Sequence, residues 1–451
     1  MMFRQMTTRG RLITIMASSF AIHLLAVLFL SHLGDPDYWP RIMQTINSGN
    51  GIYGLDGNYY TPIWGYLLSF VDMVVETSGA TPMFGDVFES LLPLEITAMK
   101  AWVITPSIAL AMKIPLAICD LIVGYVLFKV VTDFTKDERK GLIATAMWCF
   151  CPIVIYMSSV QGQFDSISTL LFLLTVQLLR EDRAFLAGAA FGMAVWLKLF
   201  PGVCLLLFVA YLFARYGRDG GIKRTVIAAV AALIVTAVIL MPQFLNGELD
   251  IAFGFFTGRM DTVTEYEWYN TLVSVRLTLM LLLTVVLMVW SCIGMGRRRK
   301  DLDRYLYLYG GVLLAVATII SRGYQYAPSF MVPIILFAMI SDDKRSYGRM
   351  FSWMSILLIV DAFFSVGPSL LAMASVYYGI IDPVWLSDIS VTFLTTIGHS
   401  GSMPIGVVTA VIWAIMLWLF VLYAVADLFG DRYPRFTSMV ERMRIMKGGP
   451  R

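Results

Sequence analysis

Apolar runs of about twenty residues recur from one end of the chain to the other, and they limit what the chain can fold into. An α-helix needs a run of about that length to cross the hydrocarbon core of a bilayer. Apolar residues make up 58% of the 451 residues and charged residues only 14%, against about 25% charged in soluble domains. We therefore expect an all-α membrane protein that crosses the bilayer many times.

Most of the 34 Lys and Arg residues lie in short clusters between these runs. The clusters are Arg4–Arg11, Lys129–Lys140, Arg180–Arg183, Arg215–Arg224, Arg297–Arg304, Lys344–Arg349 and Arg432–Arg451. Cytoplasmic loops carry an excess of Lys and Arg, so the chain between two clusters must leave the cytoplasm and return. This pattern predicts about twelve transmembrane helices in the cell (plasma) membrane, with both termini cytoplasmic.

The predicted spans include several that are shorter than a full crossing, for which tilted or broken helices are expected. Their limits are 12–32, 103–129, 141–158, 165–180, 184–199, 201–214, 225–243, 271–294, 305–320, 324–340, 350–378 and 404–427. The apolar stretch 61–75 would reverse this order if it crossed the bilayer. We therefore expect residues 33–102 to form a long external loop with a membrane-surface helix, within a single membrane domain, 1–451.

Polar and aromatic residues collect at the predicted external ends of the spans. They are Asp35 with Asp37, and the stretches 161–166, 196–201, 264–270 and 321–326. An ionisable residue in or near hydrocarbon marks a functional site by default. The structural alternatives are snorkelling of Lys198 to the interface and satisfaction of bare helix ends by Asp165 and Arg322.

One predicted span contains two ionisable residues, Lys113 and Asp120, within the motif KIPLAICD. Residues seven apart lie on one helix face and about 10 Å from each other. The two side chains are therefore too distant for a direct ion pair, although both can face the bundle interior. A stabilising role is the favoured interpretation for this pair.

Sequence signatures of nucleotide and metal sites are missing from the chain. It has no G-x-x-x-x-G-K-[ST] phosphate loop, and its three histidines do not follow the spacing of zinc ligands. All five cysteines fall inside apolar runs. We expect no cofactor, although a divalent metal stays an open option, and no nucleic acid partner. The energy for any reaction must come from the substrate or from a gradient.

The order of motifs resembles the GT-C glycosyltransferases, most closely the polyprenol-phosphate-mannose-dependent enzymes of the GPI mannosyltransferase I type and their bacterial and archaeal relatives. The motifs are DPDY (35–38), GNGIY (49–53), YYTP (59–62), KIPLAICD (113–120), GQFDS (162–166), LKLFP (197–201) and, as a weaker match, SRGYQYAP (321–328). The resemblance implies a GT-C-type helix bundle that moves a sugar, mannose, from a polyprenyl-phosphate donor with inversion. The acceptor would be a hydroxyl of a glycolipid, a lipid-linked glycan or a protein at the external face.

The resemblance also implies roles for individual residues. A carboxylate must take the proton of the acceptor hydroxyl, and Asp35 and then Asp37 are the candidates for this general base. Arg322 and Lys198 are the candidates that would bind the donor phosphate. The candidates for sugar and acceptor binding are Gln163, Asp165, Tyr59, Tyr60, Trp64, Trp268, Gln325 and Tyr326.

Two other functions fit a polytopic chain. A transporter or flippase needs inverted repeats and charges near the bilayer centre, and no repeat is visible here. A non-catalytic scaffold gives no reason for polar motifs to gather on one face. The glycosyltransferase prediction is therefore favoured over both.

Overall fold

The structure is a computed structural model that describes residues 6–32, 35–54, 60–77, 103–258, 267–298, 300–320, 326–341, 344–396, 404–429, 438–440 and 442. Within these ranges the chain is helical and contains no β-strand. Two π-helical turns, Ile46–Asn50 and Tyr156–Val160, and two 3₁₀ turns, Phe200–Cys204 and Gly367–Leu371, lie between α-helices. The α-helices are α1 (Thr8–Phe29), α2 (Asp35–Thr45), α3 (Pro62–Thr77), α4 (Pro106–Thr135), α5 (Glu138–Cys149), α6 (Pro152–Ile155), α7 (Asp165–Arg180), α8 (Ala184–Leu197), α9 (Leu205–Asn246), α10 (Leu249–Gly258), α11 (Glu267–Arg297), α12 (Leu302–Ile320), α13 (Ala327–Ile340), α14 (Lys344–Val366), α15 (Ala372–Val376), α16 (Pro383–Thr396) and α17 (Pro404–Phe429).

Helices occupy the segments in which the sequence predicts spans. Within the described ranges, four helices are long and apolar enough to cross a membrane: Thr8–Phe29, Pro106–Thr135, Phe200–Asn246 and Arg345–Val376. A fifth candidate is the pair Glu138–Cys149 and Pro152–Val160, bent by 49° at its break. Shorter apolar helices, such as α8 and α13, accompany them. The chain is a multi-pass membrane protein, all-helical over the described ranges.

Helix α9 is a hairpin and not one straight rod. Its 42 residues would extend to roughly 60 Å, about twice the thickness of the hydrocarbon core. Gly217 has φ 71° and ψ −171°, outside the helical region, and a Cβ on Gly221 would lie 2.9 Å from the Cα of Phe213. Residues eight apart in a continuous helix are separated by about 12 Å. The chain therefore turns back at Gly217, within the basic cluster Arg215–Arg224 that was predicted to separate two spans.

The second half of α9 packs closely along α8. A Cβ on Gly188 would lie 2.0 Å from the carbonyl oxygen of Ala228, so only glycine fits this contact. Small residues four apart allow close backbone contact between membrane helices, where van der Waals packing drives association. Trp196 Nε1 donates to Thr236 Oγ1 at 2.9 Å near the other end of the pair. The two contacts occur in the same chain order on both helices, so these helices run parallel.

Basic residues gather at one end of the bundle, which we call the basic end and define by Arg180, Arg215 and Arg224. Asp303, in the first turn of α12, accepts hydrogen bonds from Tyr211 Oη at 2.7 Å and Arg215 Nη1 at 2.6 Å. Arg180 Nε lies 3.3 Å from the other oxygen of Asp303. The contacts join the end of α7 and the start of α12 to the turn of the α9 hairpin.

Two further ion pairs extend this network. Arg180 also pairs with Asp133 near the end of α4. In the turn between α7 and α8, Asp182 Oδ2 accepts from Arg224 Nη2 at 2.6 Å, and this hydrogen bond lowers the pKa of the Asp182 carboxyl. Four of the seven basic clusters, 129–140, 180–183, 215–224 and 297–304, thus meet at one end of the bundle, which supports the orientation argument.

Buried apolar side chains form two clusters. The larger cluster runs through most of the long helices. The smaller one lies at the opposite end of α4 and includes Trp39, Trp64, Met112, Phe164 and Met373. We call this region the aromatic end, and it brings α2, α3, α4 and α7 together.

Candidate active site

The turn between the π-helical turn Tyr156–Val160 and α7 is the centre of the aromatic end. Gln161 N donates to Tyr156 O at 2.9 Å, and Gln163 N donates to Met157 O at 2.8 Å. Gly162 has φ +70°, a left-handed conformation that costs other residues roughly 1–2 kcal/mol. π-Helical turns occur frequently at functional sites. The polar motif QGQFDS therefore forms a closely hydrogen-bonded turn and not a loose loop.

A buried ion pair closes this turn on one side. Lys198 Nζ lies 3.3 Å from Asp165 Oδ2, and the two side chains are 7% and 0% exposed. Asp165 is the first residue of α7, where a carboxylate is favoured by the helix dipole. Lys198 follows the last residue of α8 in an extended conformation. Its ammonium also lies 4.6 Å from the ring centre of Phe164 and 5.0 Å from that of Tyr326.

Aromatic rings line the same turn on its other side. Trp64 stacks on Phe164 with ring centres 4.5 Å apart, and Trp39 contacts Trp64 edge-on at 5.5 Å. Tyr60 is 4.8 Å from Trp39 and 5.9 Å from Phe164. Such geometries add attraction beyond the burial of apolar area. Phe164 is thus the link between α2, α3 and the Lys198–Asp165 pair.

The aspartates predicted to act as general base lie at the start of α2. Asp35 is the first residue of this helix, four positions before Trp39, which is fully buried. Four residues of α-helix advance about 6 Å, so the backbone of Asp35 and Asp37 lies within two turns of the aromatic contacts. Their side chains are outside the described residues. The helix nevertheless brings the DPDY motif to the same end as QGQFDS.

The GNGIY motif forms the turn that follows α2. Gly49 and Gly51 adopt φ values of 81° and 74°, which is why this turn contains glycine. Tyr53 Oη donates to the carbonyl oxygen of Tyr60 at 3.3 Å. Burial raises the pKa of the Tyr53 hydroxyl above its usual value, so the group stays a hydrogen-bond donor. The contact fixes the chain before α3 next to the aromatic end.

Helix α4 contributes the two ionisable residues of KIPLAICD. Lys113 and Asp120 are both fully buried. Asp120 Oδ1 accepts from Ser166 Oγ at 2.6 Å, while a Cβ on Gly162 would lie 3.6 Å from Lys113 Cε. Each of the two residues therefore contacts the segment 162–166, and α4 forms one wall of the site.

The structure gathers many of the predicted site residues at this end. Described and close together are Gln163, Asp165, Lys198, Tyr60, Trp64 and Tyr326. Trp268 lies in α11, but its side chain is not described. Tyr59, Arg322 and Gln325 lie outside the described residues. Within the described ranges, no group of three or more His, Cys, Asp or Glu side chains could hold a metal ion.

Two residues of the site, Trp39 and Phe164, were not singled out by sequence reasoning, and a third, Lys113, was singled out for a different role. Trp39 and Phe164 connect the motifs, and Lys113 was interpreted, together with Asp120, as stabilising the bundle. An aromatic residue directly beside each polar motif, as in DPDYW and GQFDS, is the signal that could have identified the first two. A buried ion pair beside stacked aromatic rings, with a helix that begins with Asp35 close by, forms a set suited to sugar binding.

Comparison with known proteins points to the same class of protein as the motifs. Residues 100–321 match the model of glycosyltransferase family 87. The chain is 24% identical to GPI mannosyltransferase 1 of Saccharomyces cerevisiae over 128 residues, which are 28% of this chain and 31% of that protein. The protein of the same name from Kluyveromyces lactis is 26% identical over 122 residues, 27% of this chain and 30% of the relative.

A vertebrate relative matches over a similar length. The GPI alpha-1,4-mannosyltransferase I catalytic subunit of Danio rerio is 23% identical over 129 residues, 28% of this chain and 33% of that protein. The similarity thus spans about a third of the length of these curated relatives. Together with the family match it confirms the resemblance seen in the motifs. Over residues 100–321 the chain is thus similar to glycosyltransferase family 87, and over a shorter stretch it is distantly similar to GPI mannosyltransferase I enzymes.

Proposed function

We propose that this chain transfers mannose from a polyprenyl-phosphate donor to an acceptor hydroxyl, with inversion, at the external face of the plasma membrane. The observation that supports this proposal best is the convergence at the aromatic end. Trp39 of α2 contacts Trp64 and Phe164, and Phe164 lies against the Lys198–Asp165 pair. Motifs more than a hundred residues apart thus contribute to one site.

In the proposed reaction, the acceptor oxygen attacks the anomeric carbon while a carboxylate at the start of α2 takes its proton. Asp35 is the proposed base, with Asp37 as the second candidate. The bond between the anomeric carbon and the phosphate oxygen breaks, and the phosphate leaves with the electron pair as a monoester. This step adds negative charge to the phosphate, so a preorganised cation in a water-poor site stabilises it. Arg322 and Lys198 are the proposed cations.

The remaining polar and aromatic side chains would bind the sugar and the acceptor. Tyr59, Trp268, Gln325 and Tyr326 belong to this proposed set. Gln163 and Asp165 offer hydrogen-bond acceptors to sugar hydroxyls, and the rings of Tyr60 and Trp64 offer apolar faces. The donor carries its own activation, so neither a nucleotide nor a metal is needed for the proposed chemistry. The acceptor class is a glycolipid, a lipid-linked glycan or a protein.

The proposal places this site within a GT-C bundle of about twelve spans in one domain, 1–451. The termini would be cytoplasmic and residues 33–102 external, with α3 lying along the membrane surface. The ion pairs of Arg180 and Arg215 with Asp303 support this orientation, because the basic clusters meet at the end away from the site. Apolar side chains exposed on α3, such as Phe70 and Met73, are suited to contact with lipid.

A reconstituted transfer assay tests the function. The purified chain in proteoliposomes receives polyprenyl phosphate carrying labelled mannose, together with a membrane lipid extract that supplies acceptors. We expect label in an acceptor with inverted anomeric configuration and release of polyprenyl phosphate. Movement of the donor across the bilayer with its label unchanged would instead favour a flippase and contradict the proposal.

A further inference from the structure

Lys113 is a buried lysine whose amino group has no counter-ion among the residues that the structure describes. Its side chain is fully buried, and among the residues that the structure describes its ammonium has no hydrogen-bond partner. Desolvating an ammonium without compensating bonds costs several kcal/mol. Such a group therefore calls for an anion that is not part of the described protein.

The position of Lys113 places that cation at the level of the candidate site. Its aliphatic part lies along Gly162, where a Cβ would be 3.6 Å from Cε and 3.7 Å from Cγ. Gly162 lies three residues before the start of α7, and Lys198 follows the end of α8. Lys113 is thus level with the start of α7 and the end of α8. It lies about 10 Å from Pro106, the first residue of α4.

Among the described residues, the acidic side chains on α4 and at the start of α7 are engaged elsewhere. Asp120 lies two turns further along α4, about 10 Å away, and accepts a short hydrogen bond from Ser166. Asp165 pairs with Lys198 on the other side of the turn. The two lysines therefore differ, because Lys198 pairs with Asp165 whereas Lys113 has no acidic partner among the described residues.

We infer that Lys113 binds the phosphate of the lipid-borne substrate, from the inner wall of the site formed by α4. This inference rests on the proposed function for the identity of the lipid. A phosphate diester carries one negative charge and the monoester that leaves carries nearly two. An unbalanced cation in a region of low dielectric favours the second species more strongly, so Lys113 binds polyprenyl phosphate more tightly than the donor.

Lipid binding by the intact chain tests this inference without any transfer step. Wild type in nanodiscs of zwitterionic lipid is titrated with polyprenyl phosphate and with the uncharged polyprenol of equal length. We expect wild type to prefer the phosphate, and Lys113→Met to lose about ten-fold or more of that preference while polyprenol binding is unchanged. Lys113→Arg, which keeps the charge, is expected to retain part of it.

Two matched measurements control the experiment. Lys129→Met changes an exposed lysine on the same helix, whose ammonium lies over Tyr125, and should bind both lipids as wild type does. The melting temperature of Lys113→Met should not fall, since removing an unpaired buried charge relieves a desolvation cost. An unchanged preference for the phosphate in Lys113→Met would overturn the inference, as would an equal loss for both lipids.

The headgroup phosphate of bulk membrane lipid is the alternative ligand for Lys113. The titration is therefore repeated with phosphatidylglycerol in excess, and equal competition by that lipid would refute the assignment to polyprenyl phosphate. The outcome is separable from the proposed function. Selective binding of polyprenyl phosphate without any sugar transfer would support the inference and contradict the proposed function. Normal transfer by Lys113→Met would support the proposed function and contradict the inference.

Discussion

The two ends of the bundle use charged side chains in opposite ways. At the basic end, Arg215 and Asp303 form an ion pair while 30% and 31% exposed. At the aromatic end, the pair of Lys198 and Asp165 is almost fully enclosed, and Lys113 is buried without a partner among the described residues. Water and salt screen the charges at the basic end, whereas the cost of desolvation dominates the energetics of the charges at the aromatic end. In the proposed topology, charge at the basic end sets the orientation, whereas charge at the aromatic end is kept at a cost in stability.

The largest effect is expected at the start of α2. Asp35→Asn removes the proposed proton acceptor and should lower the transfer rate by about 10²–10⁴-fold, with Asp37→Asn showing the smaller loss. Rates measured in proteoliposomes are compared with melting temperatures, which should stay unchanged. Full activity in both variants would show that neither carboxylate is the base.

The buried pair should give the largest loss of stability. Lys198→Met leaves the Asp165 carboxylate buried without its counter-ion, and breaking a buried pair costs about 3–5 kcal/mol. The free energy of unfolding in detergent measures this loss. The double variant Lys198→Met with Asp165→Leu should recover most of the stability but not the transfer activity. Recovery of both would mean that the pair is only structural.

The turn between the two lysines should show an intermediate effect. Gly162→Ala forces a left-handed conformation on alanine and should cost about 1–2 kcal/mol, since the added Cβ meets Lys113 only at ordinary contact distances. Transfer should fall because the turn orients Lys113 and Asp165. Gly217→Ala, also at a positive φ but at the basic end, is the control, and it should lose stability without losing activity.

The smallest effect is expected at the basic end. Asp303→Asn weakens contacts with Tyr211 and Arg215 that are partly exposed, and such pairs contribute about 1 kcal/mol or less. The melting temperature should fall slightly at low salt, and the difference from wild type should vanish at high salt. Transfer should be unchanged. A loss as large as that of Lys198→Met would remove the contrast between the two ends.

Much of the fold follows from rules that the bilayer imposes. Apolar runs and basic clusters predicted the helices and the break at Gly217, because helix length and the position of Lys and Arg depend on local sequence. The pairing of Lys198 with Asp165 was not predicted, since it depends on how α7 and α8 pack. The same holds for Phe164 as the link between motifs. The roles of Asp35 and Arg322 stay predictions, because their side chains lie outside the described residues.

The reversal at Gly217 also offers a way to observe the protein. Nothing lies within 4 Å of the position a Cβ would take there, and exposed turn tips are the sites that tolerate insertion best. A short epitope or a fluorescent label can therefore be introduced at this turn, far from the aromatic end. Its accessibility in intact and opened cells reports directly which side of the membrane the basic end faces.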